Sequence, residues 1–228
     1  MRKNELVALI LNIVVAGCGI AGLIFSINEA GSELFVPYTI DSGILCTISS
    51  LIFVVSFLFK QSIKQCPKFV MVLRYMGTCC TCLTFLIVIF VLAPMIGFSK
   101  GTFMGHEVTG ILDAYRALMF DGHMLFYHLL VPVLSFISFV WFESDRRLNR
   151  KSTIYFGVTP TLIYAIVLVV LNILKVVEGP YPFLKVYEQP IWASILWFIG
   201  ILVFDYLKDK YILYFNQKHS AKRTFKKN

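Results

Sequence analysis

The sequence predicts an all-α integral membrane protein, a bundle of six transmembrane helices with both termini in the cytoplasm. The first observation is composition, because 58% of the 228 residues are hydrophobic and only 15% are charged. A soluble domain of this size is closer to half apolar and a quarter charged. The second observation is that the apolar residues form six long blocks. The third is that the basic residues favour one side of the predicted membrane.

Each of the six blocks is long enough to cross a bilayer, which takes roughly 20 apolar residues in a helix. The blocks cover residues 5–27, 39–59, 69–97, 123–143, 153–177 and 191–207, and the last continues into a polar and aromatic extension. We treat residues 1–215 as one transmembrane domain. We expect residues 216–228 to form a basic, disordered cytoplasmic tail, because this segment is poor in apolar residues.

The basic residues indicate the orientation of the chain. If the N-terminus is cytoplasmic, the cytoplasmic segments hold 16 of the 21 Lys and Arg residues and the external connections hold 3. Such an excess is typical of cytoplasmic loops. Arg74 and Lys175 fall near the ends of spans, where we expect their stems to snorkel to the headgroups. We therefore expect membrane lipids, and not nucleic acid, as partners of this basic chain.

Two short patterns in the first span imitate other classes of protein. Gly17 to Gly22 have the spacing GxGxxG, but a dinucleotide fingerprint requires a βαβ unit, and membrane-length blocks follow here instead. We interpret Ala16, Gly19 and Gly22 as a small-residue face for close helix packing. Residues 15–18 also resemble a bacterial lipoprotein cleavage box, although cleavage would leave the apolar residues 19–27 at the new end.

The cysteines indicate no external disulfide framework, because five of the six fall within spans and Cys66 falls in a cytoplasmic loop. Cys79, Cys80 and Cys82 lie in mid-span with no histidine near them in the sequence. We expect small thiols at helix contacts there and no metal site. We expect no cofactor.

Polar residues follow one face of the second span and one face of the third. They are Thr39, Ser42, Gly43, Cys46, Thr47 and Ser50 in the second span and Arg74, Thr78, Thr81 and Cys82 in the third. Such stripes are typical of interhelical packing, with hydroxyl groups bonded back to their own helix. They are also typical of a polar cavity, because polar groups in a bilayer usually face the bundle interior.

His128 lies five residues into the fourth span, roughly 7–8 Å deep at the rise of an α-helix. Thr39 begins the second span on the same external side. Each residue has an ordinary interpretation, a hydrogen-bonded neutral imidazole for His128 and a helix N-cap for Thr39. The alternative is a nucleophile and its base, since a threonine hydroxyl needs a neighbouring base to attack at neutral pH.

The external connections are more complex than the short, basic cytoplasmic ones. Residues 98–122 form a long connection with several charged side chains, and residues 179–183 form a rigid aromatic turn, Gly-Pro-Tyr-Pro-Phe. This distribution favours a function at the outer face.

Three short motifs together resemble one protein family. They are Pro-Tyr-Thr-Ile-Asp-Ser at 37–42, His-Leu-Leu-Val-Pro at 128–132 and Tyr-Pro-Phe-Leu at 181–184. In this order, within six spans, the chain from about residue 5 to 212 resembles the androgen-induced and androgen-dependent tissue-factor-pathway regulator family, in its bacterial branch. The resemblance implies an intramembrane threonine hydrolase of hydroxy fatty acid esters, with Thr39 as the nucleophile and His128 as the base.

We therefore predict a threonine-dependent lipid esterase, multi-pass in a bacterial plasma membrane. Ser42, the amides of the second span's first turn, or Tyr181 would stabilise the oxyanion, and the sequence leaves this choice open. The alternative is a non-enzymatic protein that binds or transports a lipid or small molecule, or a structural partner of another membrane protein. Against a transporter, the sequence has no evident repeat of halves and no pair of broken helices.

Overall fold

A computed structural model describes residues 3–30, 34–99, 101–103, 106–148 and 151–225. Six of its helices are long and apolar enough to cross a membrane, which confirms the predicted all-α polytopic bundle. The helices are α1 (Lys3–Ala30), α2 (Tyr38–Lys60), α3 (Lys68–Ser99), the short α4 (Ile111–Phe120), α5 (Gly122–Phe142), α6 (Thr153–Ile173) and α7 (Ile191–Phe225). Every helix in this series except α4 is a candidate span.

Helix α3 lies at the centre of the bundle. It packs against α2, α5, α6 and α7, while α1 packs against α2 and α5. Arg74 and Tyr75 of α3 are among the largest side chains that are fully buried. The outer surface carries large apolar side chains such as Ile10, Leu58 and Ile195. This is the distribution expected where lipid, and not water, surrounds the helices.

The connections alternate between the two ends of the bundle. At one end, Ser62 after α2 donates a hydrogen bond to Glu5 of α1 (3.1 Å), and Gln217 of α7 donates to the carbonyl of Asp145 after α5 (2.9 Å). The charge distribution predicts that this end is cytoplasmic, and the opposite end is called the outer end below. The starts of α2 and α5 and the segment before α7 lie at the opposite end.

The connection between α3 and α5 has more structure than the loop expected over residues 98–122. Helix α3 continues to Ser99, and the antiparallel strands β1 (Gly101–Phe103) and β2 (His106–Val108) pair next. Helix α4 follows and buries Ala114, Leu118 and Met119 while leaving Leu112 exposed. This amphipathic helix covers the outer ends of α3 and α5.

The small residues of α1 lie where helices approach closely. Gly19 is packed against the side chain of Thr47, and a Cβ added to Gly22 would lie 3.0 Å from the Tyr127 ring. Ala16 is buried on the same face. These contacts confirm the interpretation of a packing face. Gly17 lies outside it and has no neighbour within 4 Å of an added Cβ.

The last helix differs from the sequence prediction. We expected the span to end near residue 207 and the tail to be disordered from residue 216, but α7 runs to Phe225. Asn216 is fully buried and donates a hydrogen bond to the carbonyl of Phe139 (2.7 Å). Lys208, which is one of the 16 basic residues predicted to be cytoplasmic, is buried within α7. Lys208 and Asn216 are therefore bonded inside the bundle, and residues 226–228 lie outside the described part.

Candidate active site

Thr39 occupies the second position of α2, at the outer end of the bundle. The helix begins at Tyr38 after Pro37, whose fixed φ of −77° suits a helix start. The hydroxyl of Tyr164 on α6 accepts the amide N–H of Tyr38 (3.1 Å) and donates to the carbonyl of Val36 (2.8 Å). The N-cap interpretation of Thr39 is therefore wrong, because Pro37 is the N-cap and no side chain caps the helix.

His128 lies on α5, within a π-helical segment over Leu125–Leu130. Pro132 has no amide hydrogen to bond the carbonyl of His128 four residues earlier, and the wider π turn accommodates that loss. The side chain of His128 is buried, and its Nδ1 lies 2.5 Å from the carbonyl oxygen of Leu118 on α4. A carbonyl only accepts hydrogen bonds, so Nδ1 carries the proton.

The other ring nitrogen of His128 meets Thr39. Its Nε2 lies 3.0 Å from Thr39 Oγ1. In a neutral imidazole with the proton on Nδ1, Nε2 is an acceptor. The Thr39 hydroxyl therefore donates to Nε2, which is the arrangement that a nucleophile and its base require. The structure brings together the two residues that the sequence analysis singled out, and adds the Leu118 carbonyl behind them.

Tyr181 approaches Thr39 from the segment between α6 and α7. Its phenol oxygen lies 3.4 Å from Thr39 Oγ1, close to the backbone amides of Tyr38 and Thr39. Burial raises the pKa of the Tyr181 phenol, and this effect is larger than that of its hydrogen-bonding contacts with Thr39 and with these amides, which lower the pKa. A neutral phenol and the Thr39 amide thus converge beside the hydroxyl of Thr39, whereas the amides of Tyr38 and Ile40 donate to the Tyr164 hydroxyl and the Pro37 carbonyl.

Ser42 is placed differently from the other candidate residues. Its hydroxyl donates to the carbonyl of Thr39 (3.0 Å) and lies 3.0 Å from the hydroxyl of Thr84 on α3. Its one proton is already engaged by its own helix, so it has none to offer an oxyanion. Of the three oxyanion candidates, the geometry favours Tyr181 and, among the α2 amides, that of Thr39 over Ser42.

A small cavity of about 60 Å³, partly open to its surroundings, lies beside Thr39. It is enclosed by α2, α3, α6, α7 and the segment around Tyr181. None of the described residues that line it is charged, and the lining is almost entirely apolar. The main lining residues are Thr39, Ile87, Ala165, Tyr181, Phe198 and Leu202. A hydrocarbon chain therefore suits this space better than a charged group.

The polar stripes of α2 and α3 contact each other, and of the residues named in them Thr39 alone lines this cavity. Toward the other end of the bundle, fully buried Arg74 donates to both oxygens of Glu143, at 3.1 Å each, and to Ser50 at 2.9 Å. The Glu143 carboxylate also accepts from Asn12 of α1 (2.7 Å) and from Ser138 (2.6 Å). The expectation that Arg74 snorkels is wrong, because its partner is a carboxylate within the bundle.

Two contributions to this geometry have no clear signature in the sequence. The Leu118 carbonyl is a backbone group, so no residue type reveals it. The sequence signal for α4 is the helical spacing of the apolar residues Ile111, Ala114 and Leu118. The pairing of Arg74 with Glu143 joins residues 69 positions apart in the chain. Buried free thiols occupy positions 79, 80 and 82, as expected for packing.

The fold and the site together define a class: a six-span membrane protein with a buried threonine–histidine pair beside an apolar cavity. No protein-family model, curated protein or solved structure matches the chain.

Proposed function

We propose that this protein is an intramembrane esterase that hydrolyses a lipid ester near the outer face of the membrane, with Thr39 as nucleophile and His128 as general base. The observation that carries the proposal is the 3.0 Å contact between Thr39 Oγ1 and His128 Nε2 at the wall of an apolar cavity. The proposal agrees with the activity implied by the family resemblance, including esters of hydroxy fatty acids as substrates.

The first half of the reaction transfers the acyl group to the protein. Thr39 Oγ1 attacks the ester carbonyl while its proton passes to His128 Nε2. The negative charge that forms on the carbonyl oxygen is stabilised by the Tyr181 hydroxyl and the Thr39 amide. Collapse of the tetrahedral intermediate breaks the ester bond, and His128 returns the proton to the departing alkoxide. An alcohol leaves and the acyl group remains on Thr39.

The second half uses water. His128 Nε2 takes a proton from a water molecule, whose oxygen attacks the acyl carbonyl. The second tetrahedral intermediate breaks the bond to Thr39 Oγ1, which recovers its proton from His128, and a carboxylic acid is released. Throughout, the Leu118 carbonyl holds the Nδ1–H and stabilises the imidazolium, the part that a buried carboxylate plays in hydrolase triads.

The cavity and the surroundings of the site suit a membrane lipid as the substrate. The apolar cavity would hold the part of a hydrocarbon chain next to the ester carbonyl beside Thr39, and because it is partly open the rest of the chain would extend beyond it. We assign the protein to a bacterial plasma membrane, with the site in the outer half. An uncharged cavity would also suit a protein that only binds or transports a lipid, so the experiment must detect bond formation at Thr39.

A fluorophosphonate lipid probe tests the proposal. The purified protein in detergent or lipid should become covalently labelled, and Thr39→Ala should abolish labelling. Hydrolysis of long-chain acyl esters should fall by a similar large factor, of the order of 10³ or more, in Thr39→Ala, His128→Ala and the double variant, because residues that act as a unit are not additive.

Thr47→Ala is the matched control, because Thr47 is a buried threonine of the same helix whose hydroxyl donates to the Gly43 carbonyl (2.7 Å). It should be labelled at the wild-type rate. A wild-type protein that binds long-chain esters, yet neither reacts with the probe nor hydrolyses any of them, would favour the lipid-binding alternative.

A further inference from the structure

A second group of ionisable residues lies in α7, away from the Thr39 site. Asp205, Lys208 and Asp209 follow each other at helical spacing, and all three are buried. The ammonium of Lys208 lies 2.9 Å from Asp205 Oδ1 and 2.6 Å from Asp209 Oδ1, and it donates to the Cys79 carbonyl of α3 (2.5 Å). Two carboxylate oxygens and one carbonyl oxygen thus lie within 2.9 Å of the ammonium nitrogen, which keeps Lys208 charged.

The charges of this group do not cancel. Two carboxylates face one ammonium, and in the part of the chain that the structure describes neither carboxylate has another ion-pair partner. The packed neighbours with titratable side chains are Tyr38 of α2 and Tyr75, Cys79, Cys80 and Cys82 of α3, all of which are uncharged unless they lose a proton. On the α6 side, Asp209 packs against Gly157.

Three carboxylate oxygens of the group also lack hydrogen-bond partners. Both oxygens of Asp205 and Oδ2 of Asp209 are buried and accept no hydrogen bond from any described residue, although Asp205 Oδ1 lies at ion-pair distance from Lys208. An unpaired carboxylate in a bilayer interior costs several kcal/mol, and such groups usually bind a proton instead of staying charged. An unpartnered oxygen next to an excess negative charge is where that proton would bind.

We propose that the Asp205–Lys208–Asp209 cluster is an intramembrane proton-binding site, in which the two carboxylates share one proton at neutral pH. The cluster then consists of one carboxylic acid, one carboxylate and one ammonium, and its net charge is zero. The proton belongs to the pair of carboxylates and not to one of them. This site is independent of the esterase proposal.

The shared proton should be lost when either aspartate is replaced by asparagine. Asp205→Asn and Asp209→Asn each leave one carboxylate opposite Lys208, so neither variant needs the proton. The infrared absorption spectrum of wild-type protein in lipid nanodiscs, recorded at neutral pH, should show the carbonyl band of a protonated carboxylic acid. That band should be absent from each single variant, although each retains one of the two carboxyl groups.

Thermal unfolding supplies a second measurement with a matched control. Asp205→Asn and Asp209→Asn should unfold within a few degrees of wild type. Glu143→Gln, the same change at a buried pair with balanced charge, leaves Arg74 unpaired and should lower the unfolding temperature by roughly 5 °C or more. Loss of stability in both Asp variants as large as that in Glu143→Gln would overturn the proposal, as would absence of the infrared band from wild type or its persistence in both variants.

A metal ion is the competing occupant of the unpartnered oxygens. Wild-type stability should be the same in sodium chloride, potassium chloride and choline chloride at equal ionic strength. A rise specific to sodium or potassium that disappears in Asp205→Asn would show that a metal cation, and not a proton, balances the charge.

Discussion

At the scale of single residues, the state of His128 depends on a backbone group. The Leu118 carbonyl can only accept, so it assigns the proton to Nδ1 and leaves Nε2 free to accept the proton of Thr39. An asparagine or aspartate partner would have been visible as a residue type, whereas a carbonyl is present at every position. The pair Thr39 and His128 could be predicted from the sequence, but not the group that orients the imidazole.

Arg74 is the residue for which the structure changes the expected effect of a mutation most. Its guanidinium donates to Glu143 through two nitrogens and to Ser50 through a third contact, with no exposure. A lysine ammonium cannot reproduce this planar fork. We expect Arg74→Lys to lower the free energy of unfolding by about 2 kcal/mol, measured by thermal or denaturant unfolding in detergent.

Arg147→Lys is the control for that prediction. Arg147 also pairs with an aspartate, Asp145, but its side chain is 37% exposed. Its replacement should change the free energy of unfolding by no more than about 0.5 kcal/mol. Equal effects of the two substitutions would mean that Arg74 reaches the headgroups, as first expected, and that its contact with Glu143 contributes little.

At the scale of helices, small residues and irregular turns decide how the spans meet. The π-helical turn over Leu125–Leu130 and the proline after it orient His128 toward α2. The amphipathic α4 covers this turn from outside and supplies its carbonyl. The hydrophobic blocks predicted six helices, but periodicity alone does not reveal where a helix widens by one residue, because a π turn changes the hydrogen bonds and barely alters the composition.

The contact between α2 and α3 gives a prediction at this scale. A Cβ added to Gly77 would lie 2.8 Å from Cys46 Cα and 2.7 Å from Ser49 Oγ, so the α2 backbone would have to move. We expect Gly77→Ala to lower the unfolding temperature by roughly 5 °C or more.

Gly17→Ala is the matched control on α1, where an added Cβ meets nothing within 4 Å. It should leave the unfolding temperature unchanged or raise it slightly, since alanine favours a helix more than glycine by about 1 kcal/mol. A tolerated Gly77→Ala would show that α2 and α3 do not approach as closely as the structure has them.

At the scale of the whole molecule, the Thr39–His128 pair and the Arg74–Glu143 pair lie at different depths. Thr39, His128 and Tyr181 gather where α2 and α5 begin and before α7 begins, whereas Arg74 and Glu143 meet nearer the opposite end. The excess of basic residues predicts that the opposite end is cytoplasmic. The proposed esterase site would then face the outer half of the bilayer.

A reporter fusion tests this orientation. Alkaline phosphatase, which is active only outside the cytoplasm, should be inactive when fused to the C-terminus of the full chain, and a fluorescent protein there should fold. A phosphatase fusion truncated within the connection between α3 and α4 should be active. The reverse pattern would invert the topology and move the Thr39 site to the cytoplasmic half.

The sequence by itself determined the membrane class, the number of spans and most of their boundaries, because hydrophobic length and the cost of exposing backbone to lipid are local properties. It also singled out Thr39 and His128, since polar residues in spans are costly. The tertiary structure decided which polar groups are neighbours. It paired Arg74 with Glu143 and kept Lys208 inside α7, where the sequence indicated headgroups and an exit from the membrane. A charge looks alike in sequence whether its partner is water or a buried carboxylate, and only the packing of distant helices supplies that partner.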